Sequence, residues 1–319
     1  MKTQNKNRSM IVIRLVLTVF SVVLFSDAKA QSEPMFTQYM FNEPFLNPAF
    51  VGSHECISVT ALYRNQWVGI DGAPKTQTIN IHSPVNNRKI AVGLSVMNEE
   101  IGVSHQLTVF GQFSYRILYP HSALSFGIGG GFVNDQEKFT EVKTIIQQDP
   151  QFASDVVKKF LPNASFGIYF YKSNFYAGVS IPRLIENKII ISSDNSLIKN
   201  AVNYKLWHYY LTSGYVFTLN DDLKFKPSFL LKINQNAPVE LDLNADFIFH
   251  DLLWLGAGYR TGDAVSAFIG LQLNKQFLVG YSYDYTLTKL QSFNSGSHEI
   301  TLRYKFNNNK KLIISTRYF

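Results

Sequence analysis

From residue 57 onward the sequence alternates apolar and polar residues over stretches longer than an ordinary strand. Leu107, Val109, Phe113, Tyr115 and Ile117 alternate with Gln106, Thr108, Gln112, Ser114 and Arg116. Phe277, Val279, Tyr281, Tyr283 and Tyr285 alternate with Gly280, Ser282 and Asp284, and Ile300, Leu302, Tyr304 and Phe306 with Glu299, Thr301, Arg303 and Lys305. Successive side chains of a strand point to opposite faces, so each stretch has one apolar and one polar face. Globular strands average about five to six residues. Strands that cross a bilayer at a tilt need roughly nine to eleven.

The alternation divides into fourteen segments, at about 57–66, 76–84, 88–98, 104–118, 121–134, 162–172, 174–182, 204–219, 223–234, 238–250, 252–261, 264–274, 276–287 and 297–307. The even-numbered connections between them are all short. The long ones, 67–75, 135–161, 183–203 and 288–296, are all odd-numbered. An even strand count, with tight turns at one end and long loops at the other, is the layout of a bacterial outer-membrane barrel. A soluble sandwich would also alternate, but it has no reason to sort its loops by parity. The expected fold is all-β, a transmembrane barrel of about 14 antiparallel strands, with both termini on the periplasmic side.

The aromatic share of 14% fits this reading, since Phe and Tyr suit strands and form girdles at the water–lipid boundary. The net charge of +7 does not survive inspection as a nucleic-acid signal. Lys2, Lys6, Arg8 and Arg14 precede the apolar run Leu15–Phe25, and Ala28-Lys29-Ala30 follows, which is the pattern of a cleavable signal peptide over 1–30. Without it, 25 basic residues face 22 acidic ones, so no nucleic-acid partner is expected. A single cysteine, Cys56, excludes an intrachain disulfide and a cysteine-rich metal site.

The polar face should line the lumen, because a basic side chain facing lipid costs roughly 2–4 kcal/mol at the midplane. Lys226 and Lys232 share one face of the ninth segment, and Glu240, Asp242 and Asp246 one face of the tenth. Closing the short turn at 235–237 sets Lys232 opposite Glu240 and Lys226 opposite Asp246 as lumen charge pairs. No catalytic, cofactor or metal site is legible. Asp242-x-Asn244-x-Asp246 lies on a strand, which spreads alternate residues about 6.5–7 Å apart, and lacks the glycine and glutamate of a calcium loop. Gly127-x-Gly129-Gly130-Gly131 marks a bend or a close backbone approach rather than a phosphate loop.

An ordered series of motifs goes further. It runs Gln38-Tyr39-Met40-Phe41-Asn42, Asn47-Pro48-Ala49-Phe50-Val51-Gly52, Arg64-Asn65-Gln66-Trp67-Val68-Gly69 and Gly72-Ala73-Pro74-Lys75-Thr76. Pro227-Ser228, Gly258-Tyr259-Arg260, Gly280-Tyr281-Ser282-Tyr283-Asp284 and Gly296-Ser297-His298-Glu299-Ile300 follow. The series resembles the PorP/SprF family of type IX secretion membrane proteins over the whole chain after residue 30. The resemblance implies a non-enzymatic outer-membrane barrel without cofactor. Its partners would be a secreted adhesin, held through its C-terminal sorting domain, or a periplasmic component of the secretion and gliding machinery, besides outer-membrane lipid. On the matching motifs, Tyr39, Asn42, Asn47, Arg64, Trp67, Pro74, Arg260 and His298 are the candidate partner-binding residues. A general diffusion porin is the competing reading.

Residues 31–56 carry Pro34, Pro44 and Pro48 and lack alternation, so they are not read as a strand. They should begin in the periplasm and either plug the lumen or dock a partner. The barrel then spans 57–307, and 308–319 form a periplasmic tail.

Overall fold

The computed structural model describes residues 34–85, 88–141, 155–192, 195–201, 207–235 and 237–306. The expected signal peptide and C-terminal tail lie outside the described residues. The strands are β1 (Ser58–Asn65), β2 (Lys75–Pro84), β3 (Ile90–Ile101), β4 (Ser104–Leu118), β5 (Ser122–Glu137), β6 (Val156–Lys172), β7 (Phe175–Ile181), β8 (Glu186–Ser192), β9 (Asn195–Ala201), β10 (Tyr209–Tyr215), β11 (Phe217–Thr218), β12 (Leu223–Asn234), β13 (Ala237–Phe249), β14 (Leu253–Arg260), β15 (Ala264–Gln272), β16 (Phe277–Thr286) and β17 (Ser297–Lys305). Each consecutive pair in the wall is antiparallel. β1 pairs with β17, from Ser58 opposite Lys305 to Asn65 opposite His298, and β10 pairs with β7 on one side and β12 on the other. β10 and β11 are one stave interrupted at Val216, so the sheet closes into a barrel of 14 antiparallel staves.

Every one of the fourteen alternating segments coincides with a stave. Two departures have physical causes. β5 and β6 continue past the expected ends, to Glu137 and back to Val156. Their register shifts between Val133 and Asp135, and Phe160 sits at a φ of 55°. An extra residue at such a bulge breaks the period of two, which hides the strand from a pattern search. The second departure lies in the long connection after β7, where β8 and β9 form a two-stranded sheet of their own.

The distribution of side chains is inverted relative to a soluble protein. Ile79, Ile128, Val179, Leu243 and Ile269 are exposed on the outer face, Ile79 by 56%. Arg64, Arg116, Lys226, Glu299 and Arg303 are buried inside. Water would not tolerate so continuous an apolar surface, whereas lipid requires it. Aromatic rings ring the short-turn end, where Phe170, Phe175, Tyr215, Phe217, Phe225 and Phe247 follow one another at centroid separations of 4.5–6.3 Å. Tyr281, Tyr283 and His298 form a similar outward cluster near the long-loop end.

At that end two long loops are stitched together. Val68 donates to the Gly296 carbonyl, Ser295 donates to Val68, and Gly102 donates to Gly72. The loops at 66–74 and 287–296 are therefore one ordered surface rather than separate excursions.

Candidate functional site: the lumen plug

Residues 34–56 lie inside the barrel. From Phe36 to Cys56 every residue except Phe45 is buried. The segment satisfies its own backbone through local turns: a 3-10 turn at Tyr39–Phe41, a short helix α1 at Glu43–Leu46 and a 3-10 turn at Pro48–Phe50. Pro44 and Pro48 fall in first turns, where the missing N–H costs nothing, and the Asn47 side chain accepts from Ala49 N at 2.9 Å. Compact turns are the solution for a chain that must cross a lumen without a strand partner.

The segment runs the length of the barrel. Its first described residues are at the long-loop end. Thr37 N and Gln38 N donate to the two carboxylate oxygens of Glu299, at 3.0 and 2.7 Å, and Thr37 Oγ1 donates to Asp284. Arg64 ties these together, reaching Thr37 Oγ1 at 2.9 Å, Asp284 at 2.8 Å and Glu299 at 3.1 Å. Arg260 donates to the Phe36 carbonyl and holds Asp242 at 2.6 Å and Asp263 at 3.2 Å. The expected periplasmic start is thereby corrected. Pro34 lies on the side of the long loops, and the chain descends to the short-turn end before β1 begins. Thr37 and Gln38 hydrogen-bond wall groups at the opposite end from β1's first residue, which no local pattern reveals.

Midway, Phe41 packs between Trp254 and Phe268, with the Arg303 guanidinium 4.9 Å from its ring. Asn42 accepts from Asn80 at 2.5 Å, Tyr39 donates to Ser228, and Gln112 and Ser180 donate to the Pro44 and Leu46 carbonyls. Asn47 donates to the Ile168 carbonyl at 3.1 Å. Two glycines make the room. A Cβ on Gly127 would lie 2.1 Å from Ala49 N, and one on Gly167 2.0 Å from Asn47 Oδ1. Of the glycine run, Gly127 therefore supplies a close backbone approach to the plug, while Gly129 and Gly131 face wall atoms.

At the short-turn end, Arg116 donates to the Gly52 carbonyl and to Glu55, both at 2.7 Å, and to the Tyr171 hydroxyl. Ser114 donates to the Val51 carbonyl. Burial raises the Glu55 carboxyl, and Arg116 opposes that rise.

Of the candidate partner-binding residues, Tyr39, Asn42, Asn47, Arg64 and Arg260 are buried at this plug–wall contact. Their polar groups meet one another and the barrel. Trp67 and Pro74 stand half-buried in the stitched loop, with Trp67 N donating to Ser297 Oγ. His298 faces outward and bonds the Tyr281 hydroxyl at 2.7 Å. Lys232 lies opposite Glu240 at 2.6 Å, and Lys226 opposite Asp246 with its ammonium 5.4 Å from the Trp254 ring. The sequence reading did not bring Thr37, Gln38, Asp284 and Glu299 together at one mouth, nor Glu55 to Arg116 at the other. Motif membership and an inward register marked several of them singly, but neither tells which residue meets which. Among the described residues, no group of three or more His, Cys, Asp or Glu is arranged to hold a metal ion.

The chain matches the family described as type IX secretion system membrane protein PorP/SprF over residues 28–304. A comparison with curated protein sequences found no match. Similar solved structures include the Acinetobacter baumannii outer membrane protein Omp33, at 10% identity over 79% of this chain and 98% of that one, with a TM-score of 0.46. The Ralstonia pickettii toluene transporter TbuX aligns at 10% identity over 83% and 93%, with a TM-score of 0.48. The monoaromatic hydrocarbon channel CymD aligns at 9% identity over 84% and 94%, with a TM-score of 0.49.

Proposed function

The chain belongs to the PorP/SprF family of type IX secretion system membrane proteins, and on that premise we propose that this outer-membrane barrel works by binding protein at its mouths rather than by passing solutes or catalysing a reaction. The observation that carries the reading is the plug. A segment anchored at both mouths by buried arginines, with glycines cut away to receive it, occupies the path a diffusing solute would take. What remains for function is the surface at each end. The long-loop mouth offers the stitched loops, pre-ordered by hydrogen bonds and carrying Trp67 and Pro74, to an exported adhesin and its C-terminal sorting domain. The short-turn mouth faces the side where a periplasmic partner of the secretion and gliding machinery would stand. A binding loop already ordered loses less entropy on docking.

A photo-crosslinking residue placed at Trp67, in cells making the full chain, tests this. Adducts with an exported polypeptide that carries a C-terminal sorting domain are expected. If neither Trp67 nor a matching probe at Asp222, on the short-turn side, captures a protein, the binding role is lost.

A further inference from the structure

The charged residues of the short-turn end are not distributed evenly. From the β15–β16 turn, past the meeting of β17 and β1, and on to the β6–β7 turn, the rim carries Lys275, Lys89 and Lys172, while Lys305 shares the inward register of Arg303 and Arg88 turns to Glu55 at 3.9 Å. Among the described residues, the only carboxylate in this arc is Glu55, which is buried and held by Arg116. The acids of that end, Asp221, Asp222 and Asp251, are confined to the turns flanking β12 and β13. There they meet His250 and Lys224.

The cations are interleaved with exposed apolar side chains. Val85, Tyr119, Leu273 and Phe306 are each more than two-fifths exposed along the same arc. Lys172 faces outward, with its ammonium 5.9 Å from the Phe175 ring and 6.0 Å from the Tyr215 ring, within the aromatic belt. The arc therefore offers positive charge and exposed apolar surface side by side. The boundary between phosphate headgroups and acyl chains needs both, and long cationic side chains reach it by lying along apolar surface.

We propose that this arc is a binding surface for anionic phospholipid, taking headgroup phosphates on Lys89, Lys172 and Lys275 in the leaflet that meets the short turns. In the usual barrel layout that leaflet is the periplasmic one. The acidic side of the same rim would be avoided by such lipids, so the barrel would carry its lipid shell asymmetrically. Through that asymmetry the membrane would orient the barrel's mouth relative to neighbouring proteins.

The full-length barrel, purified and reconstituted in bilayers, can be tested with spin-labelled phosphatidylglycerol and phosphatidylcholine. At low salt the motionally restricted fraction should favour phosphatidylglycerol, and the preference should shrink as salt is added. The K89Q/K172Q/K275Q variant should lose on the order of fivefold of that preference per lysine. The K89R/K172R/K275R variant and D221N/D251N should keep it. Heat-modifiable electrophoretic mobility identifies folded barrel in each sample, and K172Q alone gives a smaller loss should the triple variant not assemble. Equal association of the two lipids with the unmodified barrel overturns the proposal, as does an unchanged preference in the glutamine variant. Capture of a soluble acidic peptide by the same lysines, without lipid preference, assigns the arc to a polypeptide and overturns it as well.

Discussion

At the scale of single residues, the plug depends on complementarity that is steric at some positions and electrostatic at others. Gly127 and Gly130 make a steric contrast within one strand. A side chain at Gly127 would enter the Pro48–Ala49 backbone, whereas a Cβ on Gly130 meets nothing within 4 Å. Gly127→Val should therefore cost about 1–3 kcal/mol or displace the plug, while Gly130→Ala stays near neutral. Unfolding in urea in lipid vesicles, together with protease sensitivity of the plug, measures both. Arg116 makes the electrostatic contrast. Arg116→Met leaves Glu55 buried with the more distant Arg88, 3.9 Å away, as its remaining cation among the described residues, and should cost about 3–5 kcal/mol. Adding Glu55→Gln should recover part of that loss, since the uncompensated charge is then gone.

At the scale of elements, what was legible in the sequence is what depends on neighbours along the chain. A strand facing lipid on one side and polar groups on the other must alternate, and short turns fix which strands pair. The staves and their order around the wall followed from those two facts. The bulge at Phe160 was hidden because one residue there stands outside the alternation, leaving that ring 67% exposed against Phe132. The β8–β9 sheet was hidden because strands clear of the bilayer need no lipid-facing stripe. The course of the plug was hidden for a different reason. Its partners lie on β1, β2, β4, β6, β7, β12, β14, β16 and β17, more than a hundred residues apart in several cases, and inward register alone does not tell which wall residue meets which plug residue. The stitched loops carry an element-level prediction. Replacing 287–296 with a tight turn removes both backbone hydrogen bonds to Val68, one donated and one accepted. The barrel should still assemble, because those bonds lie beyond the wall. Hydrogen exchange at Val68 should quicken by about tenfold or more, since local opening no longer breaks those bonds. Unchanged exchange would mean that the 66–74 loop is ordered by its own turns alone.

At the scale of the whole molecule, the question is what the barrel would be without its plug. Among the described residues, the buried charges of the wall are Arg64, Arg116, Lys226, Lys232, Arg260 and Arg303 against Glu99, Glu240, Asp242, Asp246, Asp284 and Glu299, a balance of six and six. The charged groups of the described plug are the carboxylates Glu43 and Glu55, each near a wall cation. Deleting 34–52 would remove the aromatic filling of the lumen and expose Thr78, Asn80, Ser114, Ser180 and Ser228, all polar and able to bind water. A 14-stave wall lined in this way has room for a water-filled passage. Steady channels are therefore expected from the deleted barrel in planar bilayers, with little preference between cations and anions because the wall charges cancel. The intact protein should conduct poorly under the same conditions. The two results bear on function jointly. Conductance from the deletion alone means that the wall is a competent pore which the chain itself keeps shut, and the mouths are left as the working surfaces. Stable conductance from the intact barrel would instead mean that the plug leaves its seat under ordinary conditions, and the diffusion reading would replace the binding one.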